Sequence, residues 1–164
     1  MYDENTELKK LSCGILLMDQ HGKMLLCHVS EQVHWDIPKG TQKDLESTPE
    51  TMARKLFEET GVTILNGHPK DLGWFEYNLY KDIWLYLGVV ENLDVNKLQC
   101  NGFYHDSKMR KLPKSDEFRL IPIEEVERYM CGSMRTIFSR DLTDYIKRAY
   151  PSLPVIEIKY QIEG

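Results

Sequence analysis

The sequence predicts an α/β protein, a mixed sandwich of sheet and helices. Apolar runs of strand length recur at 11–18, 23–30, 72–80 and 82–90. Two helical patterns, at 48–60 and 133–149, stand far apart. Turn-forming residues punctuate the chain between them. Strands before, between and after two separated helices build a sheet with helices packed on it.

LSCGILLM at 11–18 is the first expected strand. Asp19-Gln20-His21-Gly22 makes a turn, and KMLLCHVS at 23–30 returns as the other arm of a hairpin. Residues 31–47 are polar, contain Pro38 and Gly40, and read as a long loop. A loop of that length inside a compact domain is usually functional or disordered. The next helix spans 48–60, with Thr48 as N-cap, Pro49 at the first helical position and Gly61 as the stop. At about 100° per residue, Met52, Ala53, Leu56 and Phe57 share its inward side.

Residues 62–65 read as a short strand, and 72–80 and 82–90 as two aromatic-rich strands separated only by Lys81. The polar stretch 91–116, with Lys108, Arg110, Lys111 and Lys114, reads as an excursion from the core. A strand at 117–123 and a short helix at 124–130 follow. Ser133 is the expected cap of the last helix, whose Met134, Ile137, Phe138, Leu142, Tyr145 and Ile146 recur at helical spacing. Ile156, Ile158, Tyr160 and Ile162 alternate, as in an edge strand. A single domain over 1–164 is expected, with its core at about 11–150 and a tail at 151–164.

The net charge of −5 disfavours a long nucleic-acid partner, which a basic excess would serve. A small polyanion held through metal ions remains compatible. Cys13, Cys27, Cys100 and Cys131 form no C-x-x-C pair, so reduced thiols are expected rather than a zinc site or disulfide framework. The first residues lack the apolar run of a signal peptide, and no run of about 18 apolar residues exists to span a membrane. A cytoplasmic protein is expected.

The chemistry sits on the polar side of the helix 48–60. With Arg54 at 0°, Glu58 falls near about 40°, Lys55 near about 100° and Glu59 near about 140°. Two adjacent carboxylates therefore project together, an oxygen-rich arrangement suited to Mg²⁺ or Mn²⁺. The alternative is a solvated face with Arg54–Glu58 and Lys55–Glu59 ion pairs. Both pairs place the base before the acid, the weaker order on a helix.

The stretch from Gly40 to Val62 resembles the Nudix box, G-x5-E-x7-R-E-U-x-E-E-x-G-U, where U is aliphatic. Gly40, Glu46, Arg54, Leu56, Glu58, Glu59, Gly61 and Val62 match it, and WDIPKG at 35–40 resembles the family's lead-in. The resemblance implies a Nudix-like α/β/α sandwich around a mixed β-sheet. It implies a metal-dependent pyrophosphohydrolase that cleaves a nucleoside diphosphate linked to another moiety: a dinucleoside polyphosphate, nucleotide sugar, cofactor or nucleoside triphosphate. Glu58, Glu59 and the Lys39 carbonyl would hold Mg²⁺ or Mn²⁺. Arg54 would orient a glutamate by a charge-assisted hydrogen bond. Glu46 would brace the loop, Gly40 would permit a backbone turn and Gly61 would end the helix.

Lys55 departs from the box, which has glutamate there. A positive charge between two glutamates repels a cation and competes for their carboxylates. Three readings stay open: an enzyme with its base elsewhere, a weakened nucleotide-binding or sensor module, or a substitution that disables an enzyme. Glu117 is the favoured replacement base, with Glu76 and Glu91 behind it. Lys39 and Lys43 are candidates for phosphate contact and Trp35 for stacking on a base, against solvated lysines and a core tryptophan. His34 and His105 are further acid–base candidates. Tyr77, Tyr80, Trp84 and Tyr86 read as strand packing. The basic run 108–114 is either a distal phosphate site or a solvated loop. The expected partner is a small nucleotide, with no membrane; a homodimer stays open. A structural interaction protein using its tail as a pairing edge is the third class considered.

Overall fold

The computed structural model describes residues 9–161. Its central strands are β1 (Lys10–Met18), β2 (Lys23–Val29), β6 (Lys70–Glu76), β7 (Lys81–Val89) and β10 (Ser115–Pro122). They lie in the order β10-β2-β1-β7-β6. β1 and β7 run parallel over their whole length, and the other neighbours are antiparallel, so the sheet is mixed. β1 is buried on both faces from Cys13 to Met18, as a central parallel strand must be.

Its alternating side chains feed two cores. Leu16 and Met18 join Leu26, Leu85 and Leu87 beneath the C-terminal helices. Cys13, Ile15 and Leu17 join Leu25, Met52, Leu56 and Val62 beneath α1 (Thr48–Thr60). Helices thus cover both faces, and the α/β/α sandwich is present.

The β1–β2 hairpin forms at the expected turn, but the strands pair only at Met18–Met24 and then splay apart. Residues 31–47 are not all loop. β3 (Trp35–Asp36) pairs with β2 and β4 (Lys39–Thr41) pairs with β1, which fills the gap between the splayed arms. Two- and three-residue strands are too short to show a period in sequence, so only tertiary pairing reveals them.

Helix α1 spans the expected residues with a different cap and face. Ser47, not Thr48, is the N-cap, and its hydroxyl accepts the Glu50 N–H. Gly61 ends the helix at φ 76°, a conformation costly to any residue with a Cβ. The buried residues are Thr51, Met52, Leu56, Glu59 and Thr60, whereas Ala53 and Phe57 face solvent. Hydrophobicity alone drew the inward arc too far toward Phe57. The loop carrying Glu46 covers Thr51, and the pocket beside β10 takes in Glu59.

β6 and β7 end earlier than the aromatic runs suggest. Tyr77–Tyr80 form the turn between them, and the Tyr77 and Asn78 N–H groups bond to Lys81 O. β5 (Val62–Asn66) pairs with β11 (Glu157–Tyr160), so the alternating tail lies against its own chain; Ile162 falls outside the described residues. The stretch 91–116 contains the hairpin β8 (Phe103–His105) and β9 (Lys111–Pro113). It docks on the C-terminus of α1: Asn101 and Gly102 N–H donate to Glu58 O, and Gln99 N–H donates to Thr60 O. Those are helix-end carbonyls that need partners.

α2 (Val126–Tyr129) lies within the expected short helix. The last helix starts at Gly132, with Cys131 rather than Ser133 as N-cap. It runs as α3 (Gly132–Ile137), a π-helical segment (Phe138–Leu142) and α4 (Thr143–Ala149). Met134, Ile137, Phe138, Leu142 and Ile146 are buried as the spacing predicts. The cysteines are free, and burial pushes the Cys13 thiol up to about 11. No helix among the described residues is long and apolar enough to cross a membrane.

The observed face of α1 predicts unequal costs for two neighbouring truncations. Leu56→Ala should destabilise the fold by about 2–5 kcal/mol. Phe57→Ala should cost under about 1 kcal/mol. Chemical denaturation of both variants checks this; equal losses would return Phe57 to the core.

Candidate active site

The N-terminal half of α1 and the loop before it are locked by one ion pair. Arg54 Nε donates to Glu46 Oε2 at 2.6 Å and Nη2 to Glu46 Oε1 at 2.9 Å, a two-pronged contact. Nη2 also donates to Thr41 O at 2.9 Å, and Nη1 to Glu58 Oε1 at 3.1 Å. Glu46 further accepts the Lys43 N–H and the Thr51 hydroxyl. These hydrogen bonds, led by those from Arg54, hold the Glu46 carboxyl down at about 2. Glu46 thus bonds to both loop and helix, and Arg54 donates to Glu58 as well as to Glu46.

Lys55 takes the other oxygen of Glu58. Its Nζ lies 2.9 Å from Glu58 Oε2, and its side chain is only 12% exposed. The stem crosses Gly40 so closely that a Cβ there would sit 2.1 Å from Lys55 Cε. Gly40 is not among the positive-φ glycines, so its place in β4 leaves room for Lys55 rather than making a turn. Burial opposes ionisation of Glu58, but the hydrogen bonds from Lys55 and Arg54 outweigh it and its carboxyl titrates below the usual range.

Glu59 points the other way, into a cavity of about 330 Å³ lined by Cys27, His34, Asp36, Lys39, Tyr77, Lys114 and others. It is 8% exposed, and Ser115 Oγ donates to it at 3.4 Å. Burial raises its carboxyl above the usual range against the pull of Lys114 and Lys55. Lys39 Nζ sits 3.2 Å from Asp36 Oδ2 and 5.4 Å from the centre of the Tyr77 ring. Burial disfavours its charge, but Asp36 more than compensates.

The expected residues thus divide. Arg54, Lys55, Glu58, Glu59, Glu46, Gly40 and Lys39 gather along α1 and the segment before it. Lys43 contributes its backbone N–H to Glu46 while its side chain is exposed. Trp35 is 7% exposed in the core under Arg119, against Tyr129 and His28. Glu117 is exposed and bonded to Arg119 rather than turned into the cavity. Glu76 and Glu91 are also exposed, as is His105, while His34 lines the cavity. Asp36 and Ser115 have no part in the sequence reading of the site, Tyr77 reads there as strand packing but lines the cavity, and Lys114 is submerged in a basic cluster. Asp36 had one local signal, its spacing of three from Lys39.

The family profile of the NUDIX domain matches residues 8–138. The chain belongs to the NUDIX domain family. Membership makes it a Nudix-type hydrolase, a class acting on phosphoanhydride bonds. It is 29% identical over 147 residues to an uncharacterized 17.7 kDa protein of the e-segB intergenic region of Enterobacteria phage T4, covering 83% of this chain and 97% of that one. It is 24% identical over 155 residues to an RNA pyrophosphohydrolase of Vibrio cholerae, covering 87% of each. Among solved structures, a C. elegans Ap4A hydrolase binary complex superposes with a TM-score of 0.61 at 17% identity, covering 88% of this chain and 99% of that one.

Nudix hydrolases generally use divalent metal ions. Side chains arranged as they are here do not fit one. Mg²⁺ needs several oxygens in near-octahedral array. Both Glu58 oxygens are engaged by Arg54 and Lys55, and Glu59 is turned inward. Among the described residues, no three His, Cys, Asp or Glu side chains converge to hold a metal.

The lowered carboxyl of Glu46 sets a pH window. Its folded-state value, about 2 against an ordinary 4.5, means that the carboxylate stabilises the fold above pH 4.5 and loses that effect as pH falls toward 2. Glu46→Gln should therefore be less stable than the parent at pH 7, with the gap closing between pH 4.5 and 2. Urea titrations across that range check it; a gap independent of pH would remove the ion pair as its cause.

Proposed function

We propose that this chain hydrolyses the pyrophosphate link of a small nucleotide derivative, a nucleoside diphosphate joined to another moiety. The observation that carries the reading is the cavity beside α1, where Lys39 and Lys114 face the buried carboxylate of Glu59. Lysines offset the phosphate charge that repels an incoming oxygen nucleophile. An ionised Glu59 is placed to take a proton from water, in the role the box motif left without its usual glutamate. Arg54 acts through Glu46 and Glu58 as a positioning residue. A cavity of about 330 Å³ is large enough for a diphosphate.

A groove of about 930 Å³ adjoins this cavity through Tyr77 and is lined by Trp74, Leu79, Gly132 and Arg140. We assign it to the moiety beyond the diphosphate, where the half-exposed Trp74 offers a stacking face. The named relatives, an RNA pyrophosphohydrolase and an Ap4A hydrolase, support a substrate with a base or second nucleoside there. The free thiols support a reducing compartment, the cytoplasm.

A second reading is favoured by the Lys55–Glu58 contact: a weakened hydrolase that chiefly binds its nucleotide. Nucleotide release from dinucleoside polyphosphates, nucleotide sugars, dinucleotide cofactors and nucleoside triphosphates, with Mg²⁺ and with Mn²⁺, separates the two. The parent should turn over at least one of them, and Lys55→Glu should turn it over faster with metal. Turnover by Lys55→Glu alone would favour the second reading, and turnover by neither would overturn the first. Glu59→Gln should lower kcat by about 100-fold or more. Trp74→Ala should raise KM with kcat little changed; an unchanged KM would take the groove out of the substrate path.

A further inference from the structure

We propose that Lys55 is a tethered cation, standing in for a divalent ion, and that with Lys39 and Lys114 it binds a diphosphate directly, without metal. The inference rests on the reading that the cavity beside α1 receives the pyrophosphate group.

Three observations converge on it. The first is position. Lys55 is not a solvated surface lysine: its stem lies over Gly40, where even one added carbon would meet Cδ, Cε and Nζ within 2.8 Å. Its ammonium is therefore directed to one place, 2.9 Å from Glu58. That is the carboxylate from which a bound cation would have been held.

The second is charge. Arg54 is balanced by Glu46, Lys55 by Glu58, and Lys39 by Asp36. Lys114 has no salt-bridge partner among the described residues, and it lines the cavity with Glu59. A site that recruits Mg²⁺ needs surplus negative charge; here the fixed lysines and Arg54 already answer the carboxylates. Such a balance removes the surplus negative charge that would recruit a cation, and it leaves Lys114 free to meet an anion.

The third is reach. Lys55, on the same helix as Glu59, and Lys114, just before β10, both act on its charge. Lys39 enters from β4. Lys39 and Lys114 line the cavity of about 330 Å³, and Lys55 lies next to it over Gly40, the residue after Lys39. Lysine serves phosphate as a point charge with rotatable donors, so it needs no fixed fork geometry. A diphosphate then replaces Glu58 or Asp36 as partner for part of each lysine's charge, and the freed carboxylates stay bonded to Arg54 or to water.

Calorimetric titration of inorganic pyrophosphate, and separately of ADP, into the full chain tests this, in EDTA and again in excess Mg²⁺. The expected result is binding in EDTA that Mg²⁺ does not tighten, for either diphosphate source. Lys55→Gln and Lys114→Gln should each weaken it by about tenfold, while Lys55→Arg should retain it. Lys55→Glu should bind only when Mg²⁺ is present. Binding by the parent only with Mg²⁺ would overturn the tethered cation and leave the cavity as the pyrophosphate site. No binding in either condition would overturn both. If Lys55→Gln fails to fold, as a thermal melt will show, the parent's behaviour in EDTA decides the matter alone.

Discussion

The two-pronged ion pair between Arg54 and Glu46 is the constraint on which the rest of the site depends. It joins a helix to the loop eight residues before it. Without it, nothing else among the described contacts would hold residues 42–47 against α1 so firmly. Through Thr41 O the same guanidinium fixes the end of β4, and so the placement of Lys39 and Gly40. Through Nη1 it fixes one oxygen of Glu58. The pair is only partly shielded from water, so its value lies in geometry more than in stability. One planar cation, with donors in a fixed fork, serves three partners at once.

The local charge pattern follows from that geometry. With one Glu58 oxygen held by Arg54, the other is left facing Gly40, and Lys55 reaches it along the space that glycine opens. Glu59, next in sequence, turns about 100° away and is buried among Cys27, Tyr77 and Ser115. Two adjacent glutamates thus end in opposite electrostatic states. Glu58 is pulled below the ordinary carboxylate range by two cations, and Glu59 is pushed above it by burial. The helix has become a divider between a neutralised rim and a buried acid. This asymmetry is a property of the whole packing, because Ser115 arrives from β10, Lys114 from the bend before it, and the carbonyls of Glu58 and Thr60 are capped from residues 99–102.

Much of this was legible in sequence for elements with a long period or a specific spacing. The buried strand β1, helix α1 with Gly61 at its end, and the inward residues of the last helix follow from apolar runs and repeats. The resemblance to the box implies a contact of Arg54 with one of the two glutamates and Glu46 as a brace for the loop, but the direct Arg54–Glu46 pair is seen only in the structure. Short pairings were not legible. β3 and β4 are too brief to carry a pattern, and the turn Tyr77–Tyr80 is aromatic enough to look like strand. Ala53 and Phe57 were placed inward because they are apolar, yet their surroundings leave them in solvent. Trp35 reads in sequence as either a base-stacking side chain or a core tryptophan, and the sheet puts it under Arg119 in the core.

By itself, then, the sequence determined the family, the sandwich, and which helix carries the box residues. Those depend on residue type at fixed local spacing, which a linear chain displays directly. Tertiary structure alone decided that Glu59 is buried while Glu58 is clamped. It alone decided that Asp36, Tyr77 and Lys114 share one cavity with Lys39, and that Glu117 faces away from it. The reason is physical: charge state and solvent exposure are set by neighbours brought from distant strands, and no local pattern encodes which neighbours those will be.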